Sequence, residues 1–361
     1  MGATVTTTTV TNIEQTGASL SASYTEASSE PTEVGFQYGT SSSSLTKTIT
    51  CNNYSGTVSS FSADVVGLSA GTTYYVQSYV VVGGQTFTGD VTSFKTLAAQ
   101  VPAVSGKSWL ELPGAVSKSN YVVNTYYDGT ASDNTRNYTH LYDKSTYTSL
   151  WTAYHLNSSH MGSLDRPGSW SYSPSISTSD QVNLRSSSYN DSYSRGHMIP
   201  NASRNGNETM QLQTFYVTNS VPQIQDSFNG GIWQNLEAAL QSIAKSEEIY
   251  IVTGVAFNKV GESKEVTYTT AKNDTKSVPV PNYFYKVVLK VNKNGSTVTE
   301  ASAIGFWFEH KQYAGGTSYS TYAVSVDQIE QWTGMDYFVN LPDGVENTAE
   351  SNGSWSSFQR F

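Results

Sequence analysis

The chain has 361 residues, 37% of them hydrophobic and 14% charged, with a formal net charge of −9 at pH 7. Length and composition predict two folded domains with sizeable cores and exclude a disordered chain. The acidic charge argues against a general nucleic-acid coat protein, because its long-range field repels polyanions, but it does not exclude an enzyme whose cleft holds a few cations.

Cysteine content and hydropathy exclude two further classes. Cys51 is the only cysteine, so an intramolecular disulfide and a thiolate zinc cluster are excluded, and we expect Cys51 to be an unreactive strand residue. No signal peptide is visible at Met1, and no run of about 18 apolar residues predicts a membrane span.

The first hundred residues predict a separate β-domain. They contain none of the seven tryptophans, and Lys47 and Lys95 are their only basic residues. Alternating runs at 18–24, 33–38 and 74–82, separated by turn-forming clusters at about ten-residue spacing, indicate an all-β sandwich over residues 1–97.

The stretch from Val65 to Tyr79 resembles the corner of a fibronectin type III domain, which has an immunoglobulin-like fold. In that corner a leucine enters the core before a turn and a tyrosine opens the next strand. The resemblance implies a spacer or adhesive module that contacts a surface or a glycan. Fold alone assigns it no function.

A linker rich in small residues is predicted at 98–106, and a second domain of α+β class at 107–361. Leu236, Leu240 and Ile243 have helical spacing and predict a helix over 234–246 behind a Gly-Gly pair. Nearly continuous apolar runs at 249–257 and 283–291 predict central strands. A short helix from 327 is expected to end at Gly334.

Residues 194–237 carry the side chains that hydrolysis of a phosphodiester on one hard metal ion requires. His197 suits the removal of a proton from water, and Arg195 suits a bidentate contact with phosphate oxygens. Asn229 offers an amide oxygen to a cation such as Mg2+. Glu237 lies eight residues further on, about two helical turns, so on a helix it faces nearly the same side.

Three motifs in this stretch occur in a familiar order. They are Ser194-Arg-Gly-His197, Thr218-Asn-Ser-Val-Pro-Gln223 and Asn229-Gly-Gly-Ile-Trp-Gln-Asn-Leu-Glu237. Together they resemble the DNA/RNA non-specific endonuclease family, the ββα-metal nucleases related to bacterial sugar-non-specific nucleases and mitochondrial endonuclease G. The resemblance extends over about residues 106–350 and implies a ββα-metal fold with a central antiparallel sheet.

The resemblance also implies a role for each site residue. His197 would be the general base, Arg195 would support phosphate and site geometry, Arg166 would clamp the phosphate, Asn219 would orient His197 or lie beside the nucleophile, Asn229 would be the only direct protein ligand of Mg2+, and Glu237 would hold the metal's waters. Mn2+ or another divalent ion could replace Mg2+. The implied substrate is DNA, RNA or both. Separately from the resemblance, we expect a secreted, cell-surface or periplasmic location.

Two positions depart from the family pattern. Ser194 stands where the family has aspartate, and Gln241 stands where some members have a second arginine. These departures leave open a surface adhesin or glycan-binding protein that retains an impaired nuclease fold. A hydrolase of another phosphoester class, such as small nucleotides, is also open.

Each site residue also has an ordinary structural interpretation. His197 could be a hydrogen-bonded core histidine, Arg195 a surface arginine, Arg166 the ion-pair partner of Asp165, Asn219 and Asn229 turn residues, and Glu237 a solvated helix carboxylate. The remaining histidines, His140, His155, His160 and His310, match no metal-ligand spacing and are predicted to be structural.

Overall fold

The structure is a computed structural model that describes residues 2–13, 17–69, 72–96, 109–114, 116, 118–132 and 135–361. Its internal contacts divide the chain into two units, residues 1–101 with 115–117 and residues 102–114 with 118–361. The predicted linker at 98–106 lies entirely outside the described residues, so the domain bounds remain a prediction.

The described part of the first unit is built from β-strands. One sheet has the order β1-β3-β2 with β6 also paired to β3, and the other has the order β5-β4-β7-β8 with β9 also paired to β7. All pairings are antiparallel. The strands are β1 (Thr4–Val5), β2 (Thr9–Thr11), β3 (Gly17–Thr25), β4 (Glu33–Gly39), β5 (Lys47–Cys51), β6 (Ser59–Val66), β7 (Thr73–Val82), β8 (Gln85–Thr88) and β9 (Thr92–Lys95).

Both sheets contribute to one apolar core in the first unit. Leu20 and Phe61 of one sheet and Phe36 and Val76 of the other are buried in the same cluster. The three strands predicted from alternation are observed as β3, β4 and β7, which confirms them. Along β3 the alternation follows from one face packing on the core while the other faces water, whereas β4 is buried at five of its seven residues.

A seven-stranded antiparallel sheet dominates the second unit. Its order is β10-β11-β12-β15-β18-β19-β20. A two-stranded sheet pairs β13 with β14, and another pairs β16 with β17. The strands are β10 (Tyr121–Tyr127), β11 (Arg136–Asp143), β12 (Thr148–Leu156), β13 (Tyr193–His197), β14 (Ser220–Ile224), β15 (Ile249–Ala256), β16 (Tyr268–Thr270), β17 (Ser277–Pro279), β18 (Tyr283–Asn294), β19 (Thr297–Glu309) and β20 (Ala323–Val324).

The two predicted central strands are confirmed as β15 and β18, which lie side by side within the large sheet. Their apolar residues are continuous because the first seven residues of β15 and the first eight of β18 are all buried. Packed against this sheet, Leu236 and Leu240 belong to the same core cluster as Ile251 and Val288.

The predicted helices are also present. The helix expected over 234–246 is α2, three residues shorter than predicted, and the helix expected from 327 is α3, which ends at Gly334 with a left-handed φ of 67°. Within the described ranges, no helix is long and apolar enough to cross a membrane. The helices are α1 (Glu208–Thr214), α2 (Gln234–Ile243), α3 (Val326–Thr333), α4 (Asp343–Glu350) and α5 (Trp355–Arg360).

The small sheet of β13 and β14 leads into α2 through residues 225–233, and most of the predicted site residues lie on these segments. His197 pairs with Ser220, and Gly196 pairs with Val221. A β-carbon on Gly196 would lie 2.6 Å from Cβ of Gln223, so only glycine allows this close approach of the strands. Between β14 and α2 the Gly230-Gly231 pair has non-helical backbone, which separates the preceding turn from the helix as predicted.

Candidate active site

A cleft of about 660 Å³ opens beside β13 and α2 in the second unit. Its lining includes the side chains that the sequence analysis singled out from three separate segments. Five of the six predicted site residues line it, namely Arg166, Arg195, His197, Asn229 and Glu237. The tertiary structure therefore brings together residues that are up to 71 positions apart in the chain.

His197, the last residue of β13, packs among aromatic rings. Its ring centroid lies 4.6 Å from that of Trp170 and 4.9 Å from that of Phe215. Nε2 is buried and has no hydrogen-bond partner among the described residues. Burial, together with the charges of Arg166 and Arg195, lowers the pKa of His197 to about 3. The imidazole is therefore neutral at pH 7 and able to accept a proton.

Two guanidinium groups rest on the same aromatic pair. Cζ of Arg195 lies 5.1 Å from the centre of the Trp170 ring, and Cζ of Arg166 lies 5.2 Å from that of Phe215. Arg195 also donates from Nη1 to the carbonyl oxygen of Leu184 at 2.8 Å, and burial followed by the Arg166 charge lowers its pKa. One hydrogen bond uses a single donor of five, so the guanidinium can still bind an anion.

Asn229 is held by its amide nitrogen. Nδ2 donates to Oγ of Ser194 at 3.1 Å and to Oε1 of Gln225 at 3.1 Å. Ser194 in turn donates from Oγ to the carbonyl oxygen of Gln223 at 2.9 Å. Oδ1 of Asn229 makes no hydrogen bond with any described residue, so it is the atom left for a ligand.

Glu237 projects from α2 next to a buried lysine that sequence reasoning missed. Nζ of Lys286 lies 3.4 Å from Oε1 of Glu237 and donates to Oγ1 of Thr253 at 2.7 Å. Burial raises the pKa of Glu237 against the opposing effect of Lys286, and burial lowers the pKa of Lys286. The sequence does contain a signal for this pair. Lys286 stands in the middle of the apolar run 283–291, and a lysine buried there requires a partner.

Asn219 does not line the cleft. Its amide is buried, accepts from the backbone nitrogen of Ile199 at 3.0 Å, and donates to the carbonyl oxygens of Ile199 at 3.1 Å and Thr214 at 2.8 Å. These bonds connect the segment after His197 to the end of α1. The structure thus places Asn219 as a support of the backbone behind the site.

Gln241 lines the cleft one turn after Glu237 and donates from Nε2 to Oγ of Ser203 at 3.2 Å. No ion pair between Arg166 and Asp165 is present in the described part of the chain. The four other histidines are absent from the lining of the cleft, and burial lowers their pKa values, to about 3 for His140 and about 4 for His310.

Two aromatic residues of the site, Trp170 and Phe215, also escaped sequence reasoning. Trp170 lies in a loop and Phe215 follows α1, so no periodic pattern connects either of them with His197. Aromatic residues make up 12% of the chain, but only the fold shows which rings surround the imidazole.

Comparison with known proteins finds a family model and several nucleases similar to this chain. The family model described as DNA/RNA non-specific endonuclease matches residues 116–344. "Nuclease 1, mitochondrial" of Schizosaccharomyces pombe is 27% identical over 216 residues, which cover 57% of this chain and 66% of that protein. "Nuclease" of Nostoc sp. is 28% identical over 218 residues, 58% of this chain and 74% of that protein.

Two further matches have similar extent. "Nuclease EXOG, mitochondrial" of Mus musculus is 28% identical over 221 residues, 58% of this chain and 58% of that protein. The chain therefore spans between about half and three quarters of the length of these relatives. A solved structure titled "Crystal structure of the EndoG/EndoGI complex: Mechanism of EndoG inhibition" has 21% identity and a TM-score of 0.49, covering 60% of this chain and 87% of that one.

Proposed function

The chain belongs to the DNA/RNA non-specific endonuclease family, and from this membership we propose that it is a metal-dependent endonuclease that hydrolyses phosphodiester bonds in DNA, RNA or both. The observation that carries the proposal is the cleft in which His197 and two arginines lie with Asn229 and Glu237. Such a set supplies a base, cations for phosphate and oxygen ligands for a metal.

His197 takes the proton from the attacking water. Its neutral form at pH 7 is the form that accepts a proton, and the surrounding rings of Trp170 and Phe215 hold the imidazole in place. A phosphate bound between Arg166 and Arg195 would offset their charges and raise the pKa of His197 toward neutrality. Substrate binding would therefore make the imidazole a stronger base when it is needed.

Arg166 and Arg195 bind the phosphate and compensate the negative charge that grows on its oxygens. Arg195 is held by the Leu184 carbonyl and the Trp170 ring, so little side-chain freedom is lost on binding. Contacts of this kind reach the backbone of a nucleic acid and not the edges of its bases. The proposed cleavage therefore has little sequence preference.

The oxygen donors in the cleft fit a hard divalent cation. Oδ1 of Asn229 lacks a hydrogen bond and would hold the ion directly, while the Glu237 carboxylate, anchored by Lys286, would hold its waters. We propose Mg2+, with Mn2+ or another divalent ion as alternatives. When bound, the ion would stabilise the charge on the departing 3′ oxygen.

The test is degradation of plasmid DNA and of RNA with Mg2+ and with EDTA. We expect cleavage by the unaltered protein in Mg2+ only, and loss of at least a hundredfold in rate for His197→Ala, since general-base catalysis contributes about 10²–10⁴-fold. His155→Gln serves as a control because His155 lies outside the lining of the cleft and its Nδ1 makes no hydrogen bond with any described residue. If folded wild-type protein leaves both polymers intact, the proposal fails, and the adhesin or glycan-binding alternative gains support.

For the first unit we propose a fibronectin type III-like module that contacts a surface or glycan, and for the whole protein a secreted or surface location. The support for the fold is local. The hydroxyl of Tyr74 accepts a hydrogen bond from the backbone nitrogen of Ser69 at 2.9 Å, next to the buried Leu68. A tyrosine that opens a strand and bonds upstream backbone is a recurrent corner of such sandwiches.

A further inference from the structure

Three carboxylates meet between α3 and α4, away from the cleft. Asp327 and Glu330 lie three residues apart on α3 and so share one face of that helix, and Glu350 is the last residue of α4. Each offers an oxygen, and these oxygens all lie within 4.8 Å of one another. None of the three residues lines the cleft.

Glu350 requires a partner that no described residue supplies. It is only 4% exposed, and its Oε1 is buried without a hydrogen bond in the described part of the chain. The carboxylate also stands at the C-terminal end of α4, where the helix dipole disfavours negative charge. A buried anion in such a place is costly unless a cation compensates it.

The charged groups that act on this position are all acidic. Asp327, Glu330, Asp336 and Glu346 each oppose ionisation of Glu350. Burial followed by these repulsions raises the pKa of Glu350 to about 10. Burial also raises the pKa of Glu330 to about 8, against the hydrogen bond that it accepts from the backbone nitrogen of Tyr337 at 2.8 Å and together with repulsion by Asp336, Asp327 and Glu346. Among the described residues, no lysine or arginine forms an ion pair with Asp327, Glu330 or Glu350.

We propose that Asp327, Glu330 and Glu350 form a calcium site that joins α3 to α4. Oxygens within 4.8 Å of one another fit on a Ca2+ coordination sphere, whose diameter is about 4.6–5.2 Å. Three carboxylates favour binding of Ca2+ over Mg2+. Mg2+ keeps several of its waters and is usually bound by roughly one or two carboxylates. Backbone oxygens or water complete the six to eight ligands that Ca2+ takes.

The site would fasten two helices onto the large sheet. Both α3 and α4 pack on β19, and the cation would connect them by their side chains. Because its ligands come from helices separated in the chain, the bound ion stabilises the folded state only. This role is independent of whether the chain cleaves nucleic acid.

Calorimetric titration with CaCl2 tests the site in Asn229→Ala protein, in which the proposed ligand of the catalytic metal is removed. We expect one Ca2+ per chain, and at least a tenfold weaker Kd when Glu350→Gln is added. Glu265→Gln is the matched control, because Glu265 is exposed and lies outside the cluster. The site is refuted if the Asn229→Ala protein binds no Ca2+ or if Glu350→Gln binds it as tightly as the control.

Thermal unfolding gives an independent measure of the same site. Ca2+ at about a hundredfold above Kd should raise the Tm of Asn229→Ala protein by roughly 5–10 °C and leave that of the Asn229→Ala/Glu350→Gln double variant unchanged. In EDTA at pH 7, Glu350→Gln should melt near the temperature of the protein that keeps Glu350, because a carboxyl with a pKa of about 10 is already neutral there. Should that variant not fold, Asp327→Asn takes its place, and a Ca2+ shift retained in Asp327→Asn refutes the site. Tighter binding of Mg2+ than of Ca2+ refutes the assigned ion.

Discussion

Ser194, the serine that replaces the family's aspartate, still positions the side chain of Asn229. Oγ of Ser194 accepts from the amide of Asn229 and donates to the carbonyl oxygen of Gln223. The hydroxyl thus fixes which atom of Asn229 is used by the protein and which is left for the metal. A neutral hydroxyl does this without the extra negative charge that aspartate would bring to the cleft.

Replacing Ser194 by alanine should weaken the use of metal without unfolding the protein. A hydrogen bond of this kind contributes about 0.5–1.5 kcal/mol, so we expect the Mg2+ concentration for half-maximal cleavage to rise about twofold to tenfold. Ser194→Asp protein should need the same Mg2+ concentration for half-maximal cleavage as the wild-type protein, or a lower one. The measurement is cleavage rate against Mg2+ concentration, and an unchanged Mg2+ dependence in Ser194→Ala would remove Ser194 from the positioning role.

The site depends on the close pairing of β13 and β14. Gly196 lies between the two functional residues Arg195 and His197, and the side chain of Gln223 occupies the space where a larger residue would project. The glycine therefore serves strand packing, and its neighbours serve the chemistry. A motif of three residues combines both functions because adjacent strand residues point to opposite faces.

Gly196→Ala should move β13 away from β14 and displace His197. Overpacking of this kind costs about 1–3 kcal/mol, and we expect a lower Tm together with at least a tenfold loss of cleavage. Gly315→Ala is the matched control, since a β-carbon there meets no atom within 4 Å. Thermal unfolding and plasmid cleavage measure the two effects, and wild-type values for both in Gly196→Ala would contradict the packing argument.

The five histidines make the stability of the folded protein depend on pH. Burial lowers the pKa of all five, to about 2–4, whereas the unfolded chain binds these protons at about pH 6.5. Below pH 6.5 the unfolded state therefore holds more protons, and the free energy of unfolding falls as pH decreases. All five lie in the second unit, between residues 140 and 310.

We expect the Tm of the second unit to fall steeply between pH 6.5 and pH 4. Each such histidine lowers the free energy of unfolding by up to about 1.4 kcal/mol for every pH unit below pH 6.5 in this window. Tryptophan fluorescence follows this unit alone, because the seven tryptophans lie between Trp109 and Trp355. His140→Gln should make the Tm of the second unit fall less steeply with decreasing pH. A Tm that is constant over the window would contradict the histidine argument.

Much of the element pattern was predictable because it depends on neighbours in the chain. Alternation predicted β3, β4 and β7, and helical spacing predicted α2, since one face of each element is buried. The end of α2 was misplaced by three residues, because Ala244 to Ser246 are compatible with a helix and nothing local stops them. The order of β15 and β18 within the sheet was not accessible to periodicity.

Local sequence patterns predicted β3, β4, β7, β15, β18, α2 and α3, and the three motifs singled out His197, Arg195, Asn229 and Glu237. What surrounds these side chains depends on the fold: the rings beside His197, the lysine beside Glu237, the backbone bonds that occupy Asn219, and the meeting of Asp327 and Glu330 with Glu350. The difference lies in the distance along the chain over which each property is set. Periodicity reports which face of an element is buried, whereas burial, pKa and ion pairing depend on contacts between residues far apart in the chain.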